Sequence, residues 1–373
     1  MPKRRWRLIA TLLAALSALP LAAQSSEPRV EVVARGLEHP WALAFIGDGR
    51  MLVSERPGRL RVIAADGKVG APVAGLPAIE VSGQGGLLDV VADRDFARNR
   101  MIYFCYAEAA ALGSGNSTAL AAARLSDDAR RLEKVTTIFR QTPKISSRVH
   151  FGCRIVEAAD GTLFLTLGER GSRMADAQKL DNHHGKVIRI GKDGRVPADN
   201  PFVNRPDALP EIWSYGHRNS QGATLGPDGR LWMHEHGPQG GDEINRPEPG
   251  RNYGWPVITY GENYGGGTIG DGLTTKAGME QPLHYWVPSI APSGMAFVRS
   301  ERYGKAWRGS LLVGSLKFGY LARLEINGSR VVGEEKLLTG LRQRVRDVRE
   351  APDGTIYLLT DEDNGQLLRL VAD

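Results

Sequence analysis

The sequence predicts an all-β fold, and specifically a six-bladed β-propeller with four-stranded antiparallel blades. Six segments repeat one pattern of short period-two runs separated by glycine-containing turns: residues 41–63, 86–107, 153–171, 222–237, 293–326 and 345–371. The 45 glycines fit such turns, and no stretch shows a sustained helical period. Repeated units of roughly four short strands are typical of a propeller, in which each blade buries its faces against its neighbours.

Residues outside the repeats complete this prediction. The segment PRVEVVARGL, residues 28–37, could supply a strand that closes the ring beside the last repeat. Two long insertions rich in glycine and proline, residues 192–211 and 257–286, join blades, and binding residues usually collect on such loops. A β-sandwich is the alternative fold, whereas a helical or doubly wound α/β protein is not supported.

The first residues predict a targeting segment. Four basic residues within the first seven lead into the apolar run LIATLLAALSALPLAA, which ends in small residues. This pattern is typical of a cleavable secretory signal, here residues 1–23, and leaves residues 24–373 as the propeller domain. A membrane anchor is the alternative, but the run is shorter than the roughly 20 residues of a spanning helix and Pro20 interrupts it. We therefore expect a periplasmic or secreted protein without stable membrane insertion after cleavage.

The net charge depends strongly on this segment. The whole chain carries a formal charge of +6, and removal of the four basic residues of the signal leaves +2. The composition therefore gives no support for a nucleic-acid partner.

Only two cysteines are present, Cys105 and Cys153, and both lie in apolar runs that resemble strands. In an oxidising compartment they could pair, but two cysteines define no disulfide framework. Two buried thiols are an equally good interpretation.

The segment YGHRNSQG, residues 215–222, concentrates polar side chains immediately before the fourth repeat. In a propeller, its residues would lie at a blade entrance near the central channel. Taken alone, the segment is better explained as a turn packed by hydrogen bonds. Its neighbours EHGPQGGDEIN and NYGWP make a functional site the stronger interpretation.

These neighbours offer oxygen ligands. Asp242 and Glu243 supply carboxylates, and the backbone carbonyls around Gly237 and Pro238 are free for a cation, a donor set that suits Ca²⁺. Turn capping by the two acidic residues is an alternative. Another is a zinc or copper pair formed by His234 and His236, although no third nitrogen or sulfur ligand stands at a convincing spacing.

Three further groups are ambiguous from spacing alone. Arg344 and Arg346, in RVRDV, share one face of a strand and would repel each other unless something anionic or polar lies between them, or unless both are solvated. Lys317 ends an apolar strand in LLVGSLKFG. His150, in VHFGCR, is either a general base or a histidine hydrogen-bonded at a strand end.

Together these motifs resemble one family, the soluble periplasmic sugar dehydrogenases that use pyrroloquinoline quinone (PQQ), including bacterial aldose sugar dehydrogenases and soluble glucose dehydrogenase. The resemblance covers nearly all of residues 24–373. It rests on an ordered series of motifs: GQGGLLDV, HFGCRI, GKVIRI, YGHRNSQG, EHGPQGGDEIN, NYGWP, APSGMAF, LLVGSLKFG and RVRDVREAPDG. The family's six-bladed propeller agrees with the repeat count.

The resemblance implies catalytic roles for two residues. His150 matches the base that takes the proton from the anomeric hydroxyl of an aldose, as hydride leaves for the quinone. Arg218 matches a group that stabilises negative charge on the quinone oxygen, and with Asn219 it matches the pair that binds the cofactor. An external acceptor would then remove the electrons, because the sequence contains no Cys-x-x-Cys-His heme motif.

The resemblance also implies cofactor and metal ligands. Lys317, Arg344 and Arg346 match cations that face the carboxylates and quinone edge of PQQ, and Gln84 matches a polar contact beside them. The carbonyls of Gly237 and Pro238 match ligands of a Ca²⁺ ion that also holds PQQ. Glu243 and the backbone at Tyr253 resemble ligands of a second, structural Ca²⁺ site.

One departure from the family concerns the residue before the base. Val149 stands where glucose-specific members carry an acidic residue, which would leave His150 without one orienting partner. The chain is also compact for the family, so we expect a broad aldose preference. Two alternatives are a Ca²⁺-dependent propeller hydrolase such as a lactonase and a noncatalytic extracellular propeller that binds glycans.

Overall fold

The structure is a computed structural model that describes residues 28–372, and these form six four-stranded antiparallel sheets. Blade 1 comprises β2 (Pro40–Phe45), β3 (Met51–Glu55), β4 (Arg59–Ile63) and β5 (Val69–Pro72). Blade 2 comprises β6 (Leu87–Ala92), β7 (Met101–Ala109), β8 (Asn116–Leu125) and β9 (Leu132–Arg140). Blade 3 comprises β10 (Gly152–Glu157), β11 (Leu163–Leu167), β12 (Lys186–Ile190) and β13 (Ile212–Tyr215). Blade 4 comprises β14 (Gly222–Leu225), β15 (Leu231–Glu235), β16 (Asp242–Asn245) and β17 (His284–Trp286). Blade 5 comprises β18 (Pro292–Phe297), β19 (Leu311–Ser315), β20 (Leu321–Asn327) and β21 (Arg330–Leu337). Blade 6 comprises β22 (Val345–Glu350), β23 (Ile356–Thr360) and β24 (Gly365–Val371), together with β1 (Arg29–Leu37). The predicted six-bladed propeller is confirmed.

The first strand closes the ring. β1 pairs antiparallel with β24, with Arg29 opposite Val371, so the start and the end of the propeller share blade 6. This confirms the role predicted for residues 28–37, and each of the six sequence repeats corresponds to one blade. The β-sandwich alternative is wrong.

Helical structure is confined to two short pieces within residues 28–372: α1 (Phe96–Asn99) and a 3₁₀ helix (Met174–Gln178). None of the helices in this range is long and apolar enough to cross a membrane. The predicted signal, residues 1–23, lies outside the described residues and stays a prediction.

The core lies largely between neighbouring blades. Trp232 on β15, for example, packs edge-to-face on Phe297 of β18, with ring centroids 5.3 Å apart. Such a pair adds about 0.5–1.5 kcal/mol beyond the burial of its area. The inner strands β2, β6, β10, β14, β18 and β22 contact one another around the axis. Because every blade repeats the same strand direction, residues that precede these strands collect at one end of the channel.

The axis itself is filled by a charge-balanced network of two aspartates and two arginines. Asp89 and Asp347 lie 3.0 and 3.2 Å from the guanidinium of Arg154, and 3.0 and 2.9 Å from that of Arg349. We call these four side chains the axial network. Three of them are at most 1 % exposed, so the network is buried between the inner strands.

The two cysteines form a disulfide between blades 2 and 3. Cys105 on β7 and Cys153 on β10 have Cα atoms 5.8 Å apart and are fully buried. The question that the sequence left open is settled in favour of pairing.

Candidate active site

A cavity of about 490 Å³ opens at the end of the channel where the inner strands begin. Its wall brings together side chains from blades 1, 4 and 6 and from the segments before the inner strands: His39, Gln84, Gln221, His236, Arg344 and Arg346. Three of the residues predicted to bind a cofactor, Gln84, Arg344 and Arg346, therefore line one cavity.

The two arginines of RVRDV share one carboxylate. Asp361 Oδ2 lies 2.6 Å from Arg346 Nη2 and 3.6 Å from Arg344 Nη2, which supplies the anionic group that the same-face pair requires. Burial acts to raise the pKa of Asp361, but Arg346, His39 and Arg344 more than offset it and hold that pKa well below its usual range. Asp361 alone does not neutralise both guanidinium groups, while Arg56, Glu362 and Asp363 also line the cavity, so its wall carries three basic and three acidic side chains.

Four buried guanidinium nitrogens in the described chain lack a hydrogen-bond partner, and two of them belong to predicted site residues: Arg346, which lines this cavity, and Arg218, which lines a smaller one. Arg346 Nη1 donates to Gln221 Oε1 at 2.7 Å, and Arg218 Nη1 donates to the carbonyls of His236 and Gly237 at 3.0 and 2.9 Å. The Nε of Arg218 and of Arg346 is buried without a hydrogen-bond partner. An unpaired buried donor is costly, so the arrangement fits an anionic ligand with several acceptor oxygens.

Lys317 lies at the rim rather than in the wall. It is exposed next to Leu316, which lines the cavity, and its Nζ lies 5.1 Å from the centre of the Phe318 ring.

His150 is paired with a carboxylate that the sequence analysis missed. Its Nδ1 lies 2.7 Å from Glu169 Oε1, and its backbone N–H donates to Gln84 Oε1 at 2.8 Å. An ionised carboxylate can only accept, so Nδ1 carries the hydrogen and the lone pair lies on Nε2. Burial lowers the pKa of His150 below its ordinary value, against the opposing effect of Glu169. At neutral pH the ring is thus neutral and able to accept a proton.

Glu169 replaces the orienting group expected to be missing at Val149. Val149 is 36 % exposed, while Glu169 is 1 % exposed and lies just after β11. The partner therefore comes from the hairpin neighbour of the His150 segment rather than from the adjacent residue.

The segment YGHRNSQG proves to be a set of structural links that hold Arg218. His217 is fully buried and bridges Ser214 Oγ, at 2.8 Å, and Glu235 Oε1, at 3.0 Å. Glu235 Oε2 in turn accepts the backbone N–H of Arg218 at 2.6 Å. Asn219 Oδ1 accepts the N–H of Gly152 at 3.2 Å, which ties this segment to the one that carries His150.

A second, small cavity contains the predicted metal ligands. Glu235, Gly237, Glu243 and Tyr253 line it together with Arg218, and Pro238 lies next to Gly237 outside the lining. Burial and the nearby carboxylate of Glu235 raise the pKa of Glu243 well above its ordinary value. Two carboxylates held together in this way fit a divalent cation, which would neutralise them. Backbone oxygens would have to complete the set, because no group of three or more His, Cys, Asp or Glu side chains in the described chain could hold a metal.

The alternative zinc or copper pair receives no support. The Nε2 atoms of His234 and His236 face the backbone carbonyls of Ser293 and Pro292. Burial lowers the pKa of His234 to about 3 and that of His236 well below its usual value, so both rings are neutral. They serve as buried links between blades 4 and 5.

The missed residues share one signal, the hairpin register. Gly152 pairs with Leu167, and two steps further along the same ladder His150 faces Glu169. Val345 likewise pairs with Thr360, so Arg344 faces Asp361. Both ladders shift register between the turn and the site, so extending each hairpin uniformly from its turn would have placed Arg170 opposite His150 and Glu362 opposite Arg344.

The fold is a six-bladed propeller, and His150 is tied through Gln84 to a cavity that Arg344 and Arg346 line. The family model described as Glucose / Sorbosone dehydrogenase matches residues 37–369. The chain belongs to this family.

Several relatives are similar over almost their entire length. "Aldose sugar dehydrogenase YliI" of Escherichia coli is 46% identical over 344 residues, which is 91% of this chain and 92% of that protein. The apo crystal structure of the soluble aldose sugar dehydrogenase from Escherichia coli is 44% identical with a TM-score of 0.89, covering 93% of this chain and all of that one. The PQQ-bound aldose sugar dehydrogenase from Streptomyces coelicolor is 28% identical with a TM-score of 0.74, covering 92% and 99%.

Proposed function

We propose that the chain is a PQQ-dependent aldose sugar dehydrogenase that oxidises the anomeric carbon of an aldose to a lactone. The observation that carries the proposal is the combination of a neutral, carboxylate-oriented His150 with buried arginines that have unused donors. The similarity to a PQQ-bound aldose sugar dehydrogenase supports the choice of cofactor. A lactonase or a glycan-binding propeller would have no use for this cluster of cations.

The cofactor would be held by cations from three blades. Arg344 and Arg346 would bind carboxylate oxygens in the wall of the cavity, Lys317 would meet the ligand at the rim, and Gln84 and Asn219 would add polar contacts. PQQ, when bound, supplies the acceptor for the hydride of the sugar. Arg218 would stabilise the negative charge that develops beside it, since its buried Nε has no other partner.

His150 would act as the general base. Glu169 fixes the tautomer with the lone pair on Nε2, which is the atom that would take the proton of the anomeric hydroxyl. Because the carboxylate remains hydrogen-bonded to Nδ1, it would also stabilise the imidazolium that forms. The proton and the hydride would thus leave the sugar in a single step, and the product is the lactone.

Calcium would bind at two sites. The carbonyl oxygens of Gly237 and Pro238 would bind a Ca²⁺ ion that also orients PQQ, and Glu243 and the backbone of Tyr253 would bind a structural ion. The Gly237 carbonyl already accepts a hydrogen bond from Arg218, so the ion would share or replace that contact.

The cellular setting follows from the sequence alone. A signal at residues 1–23 would place the enzyme in the periplasm or outside the cell, where a separate electron acceptor would reoxidise the cofactor. The proposal includes no nucleic-acid partner.

The test is turnover by the purified protein with PQQ, Ca²⁺, a panel of aldoses and a reducible dye, omitting each component in turn. We expect dye reduction to require all three components. His150→Ala should reduce kcat by about 10²–10⁴-fold while PQQ affinity is kept, and His284→Ala on the outer strand β17 is the matched control. If PQQ gives neither turnover nor thermal stabilisation, the oxidoreductase proposal fails and lactone hydrolysis becomes the next assay.

A further inference from the structure

The segment that carries His150 has an unusual backbone. His150, Gly152 and Cys153 have φ angles of +53°, +67° and +79°, all in the left-handed region. This region is unfavourable for residues with a side chain, so two of the three positions depend on surrounding structure to keep their conformation. The β10–β11 ladder also shifts register between Gly152 and Ile155.

Besides the Asn219 contact to the N–H of Gly152, three tethers to this segment come from blade 2 or from the segment that leads into it. Gln84 accepts the backbone N–H of His150 at 2.8 Å, and the hydroxyl of Thr118 donates to the carbonyl of Phe151 at 2.7 Å. The third tether is the disulfide between Cys105 and Cys153.

The disulfide differs from the other two because it acts on the residue with the largest φ angle. Cys105 is a rigid anchor, since it pairs with Leu120 in the middle of blade 2 and is fully buried. Without the covalent link, Cys153 could return to the right-handed or extended region, and Gly152 would offer no resistance to that change.

We propose that the Cys105–Cys153 disulfide is a positioning element for the catalytic base. It fixes the left-handed backbone from which the His150 imidazole reaches Glu169. This inference rests on the proposed role of His150, but it makes a separate claim about the chain, that the link sets the geometry of one segment in addition to stabilising the fold.

The movement that the link prevents would affect catalysis selectively. The Nδ1 of His150 lies 2.7 Å from Glu169, a contact that a displacement of about 1 Å would break, and displacements of this size can cost roughly 10²-fold in rate. The cofactor-binding arginines 344 and 346 lie on blade 6, away from the link. We therefore expect kcat to change far more than cofactor affinity.

The experiment compares three variants that all lack the disulfide: Cys105→Ala, Cys153→Ala and Cys153→Gly. We expect kcat to fall roughly 10- to 100-fold in the two alanine variants, with the Kd for PQQ within about twofold of wild type. Cys153→Gly should retain a higher kcat than Cys153→Ala, because glycine adopts the left-handed conformation without cost. Thiol titration confirms the starting state, since the chain contains only two cysteines.

A stability control separates positioning from general loosening. Phe297→Leu weakens the packing between blades 4 and 5 far from His150 and should lower Tm without lowering kcat measured well below Tm. If the cysteine variants behave in the same way, with a lower Tm but kcat within twofold of wild type, the disulfide only stabilises the fold and the proposal is overturned.

A readout without turnover keeps the inference separate from the proposed function. In the cofactor-free protein, the NMR titration of the His150 ring should shift from its wild-type position in Cys105→Ala, because a displaced ring changes both its burial and its contact with Glu169. An unchanged titration would overturn the positioning role even if the enzyme proved inactive with every sugar. Absence of PQQ-dependent turnover in the wild type, combined with a shifted titration, would instead count only against the proposed function.

Discussion

Two arginine clusters share the axis of this propeller but differ in charge balance. In the axial network, Arg154 and Arg349 each lie within 3.2 Å of both Asp89 and Asp347. At the cavity, Arg344 and Arg346 share one carboxylate, that of Asp361. Both clusters lie on or beside inner strands, so burial and strand position alone do not distinguish a structural ion-pair network from a binding site.

What distinguishes them is the unpaired charge. The axial network pairs two arginines with two aspartates, although Arg154 Nη2 and Asp347 Oδ1 are buried without a hydrogen-bond partner, and removal of one member leaves the others with an uncompensated desolvation cost. A set with excess cations remains incomplete until an anion arrives, and it is therefore stabilised by binding. The predictions below test this distinction from the largest expected effect to the smallest.

The largest effect is expected from breaking the balanced cluster. Asp89→Ala leaves two buried guanidinium groups sharing one carboxylate, and we expect the free energy of unfolding to fall by about 3–5 kcal/mol in urea denaturation. Glu31→Ala is the control, because its pair with Arg369 is about half exposed and should change stability by about 0–1 kcal/mol. Equal losses in the two variants would show that the axial network is not a structural unit.

The unbalanced cluster should respond in the opposite sense. The double variant Arg344→Ala and Arg346→Ala leaves Asp361 with His39 as its remaining partner, so the propeller should stay folded with a lower Tm. PQQ affinity should fall at least about 100-fold, as expected for the loss of two charge-assisted contacts. Isothermal titration calorimetry with PQQ measures this affinity.

The matched control for that variant removes two exposed arginines elsewhere, Arg302→Ala and Arg330→Ala. It changes the net charge equally and should leave PQQ affinity within about twofold, because screened surface charges act weakly over distance. Similar losses of affinity in both double variants would remove the cofactor role from the cavity arginines.

The fold was predictable from sequence, whereas parts of the site were not. The six repeats and the closing strand follow from period-two runs and turn residues, which are local signals. His150, Arg344 and Arg346 were found because they stand in recognisable motifs, but their carboxylate partners, Glu169 for the histidine and Asp361 for the arginines, were not. Those partners depend on hairpin register, which a bulge can shift by one residue and which composition does not reveal.

The disulfide could not be decided from sequence for a different reason. Its cysteines are 48 residues apart and lie in different blades, so their pairing depends on how blade 2 packs against blade 3. Two apolar strands with one cysteine each are equally compatible with free thiols. Only the packed arrangement brings the two Cα atoms to 5.8 Å.

A third prediction extends the comparison to an excess of negative charge. The pKa of Glu243 is raised by burial and by Glu235, so its contribution to stability in the metal-free protein is present at low pH and is lost as pH rises above about 4.5. Calcium should offset this loss, and at ten times its Kd it should stabilise by about 1.4 kcal/mol. Glu243→Gln should abolish that gain at pH 8 and make the metal-free protein more stable.

Thermal unfolding with and without Ca²⁺, at pH 5 and pH 8, measures this effect. Glu262→Gln on an adjacent loop is the control and should keep the response to calcium. A calcium response that survives in Glu243→Gln would remove the carboxylate from the metal site.

The smallest effect is expected at Glu169, the carboxylate that acts on the pKa of His150. Burial lowers the pKa of His150 and Glu169 partly restores it, so turnover should fall as pH decreases through that lowered pKa. Glu169→Gln keeps an acceptor for Nδ1 but removes the charge, so the acid limb of kcat/KM should move to lower pH by up to about one unit. The matched control is Glu211→Gln, whose partner His183 lies 2.7 Å away in an equivalent buried pair outside the cavity. The control should leave the pH profile unchanged, whereas a shift of the Glu169→Gln limb to higher pH would mean that the ionised carboxylate does not act on His150. An unperturbed imidazole is already largely neutral at pH 7, so burial and the Glu169 charge set the lower limit of the pH range in which His150 can accept a proton.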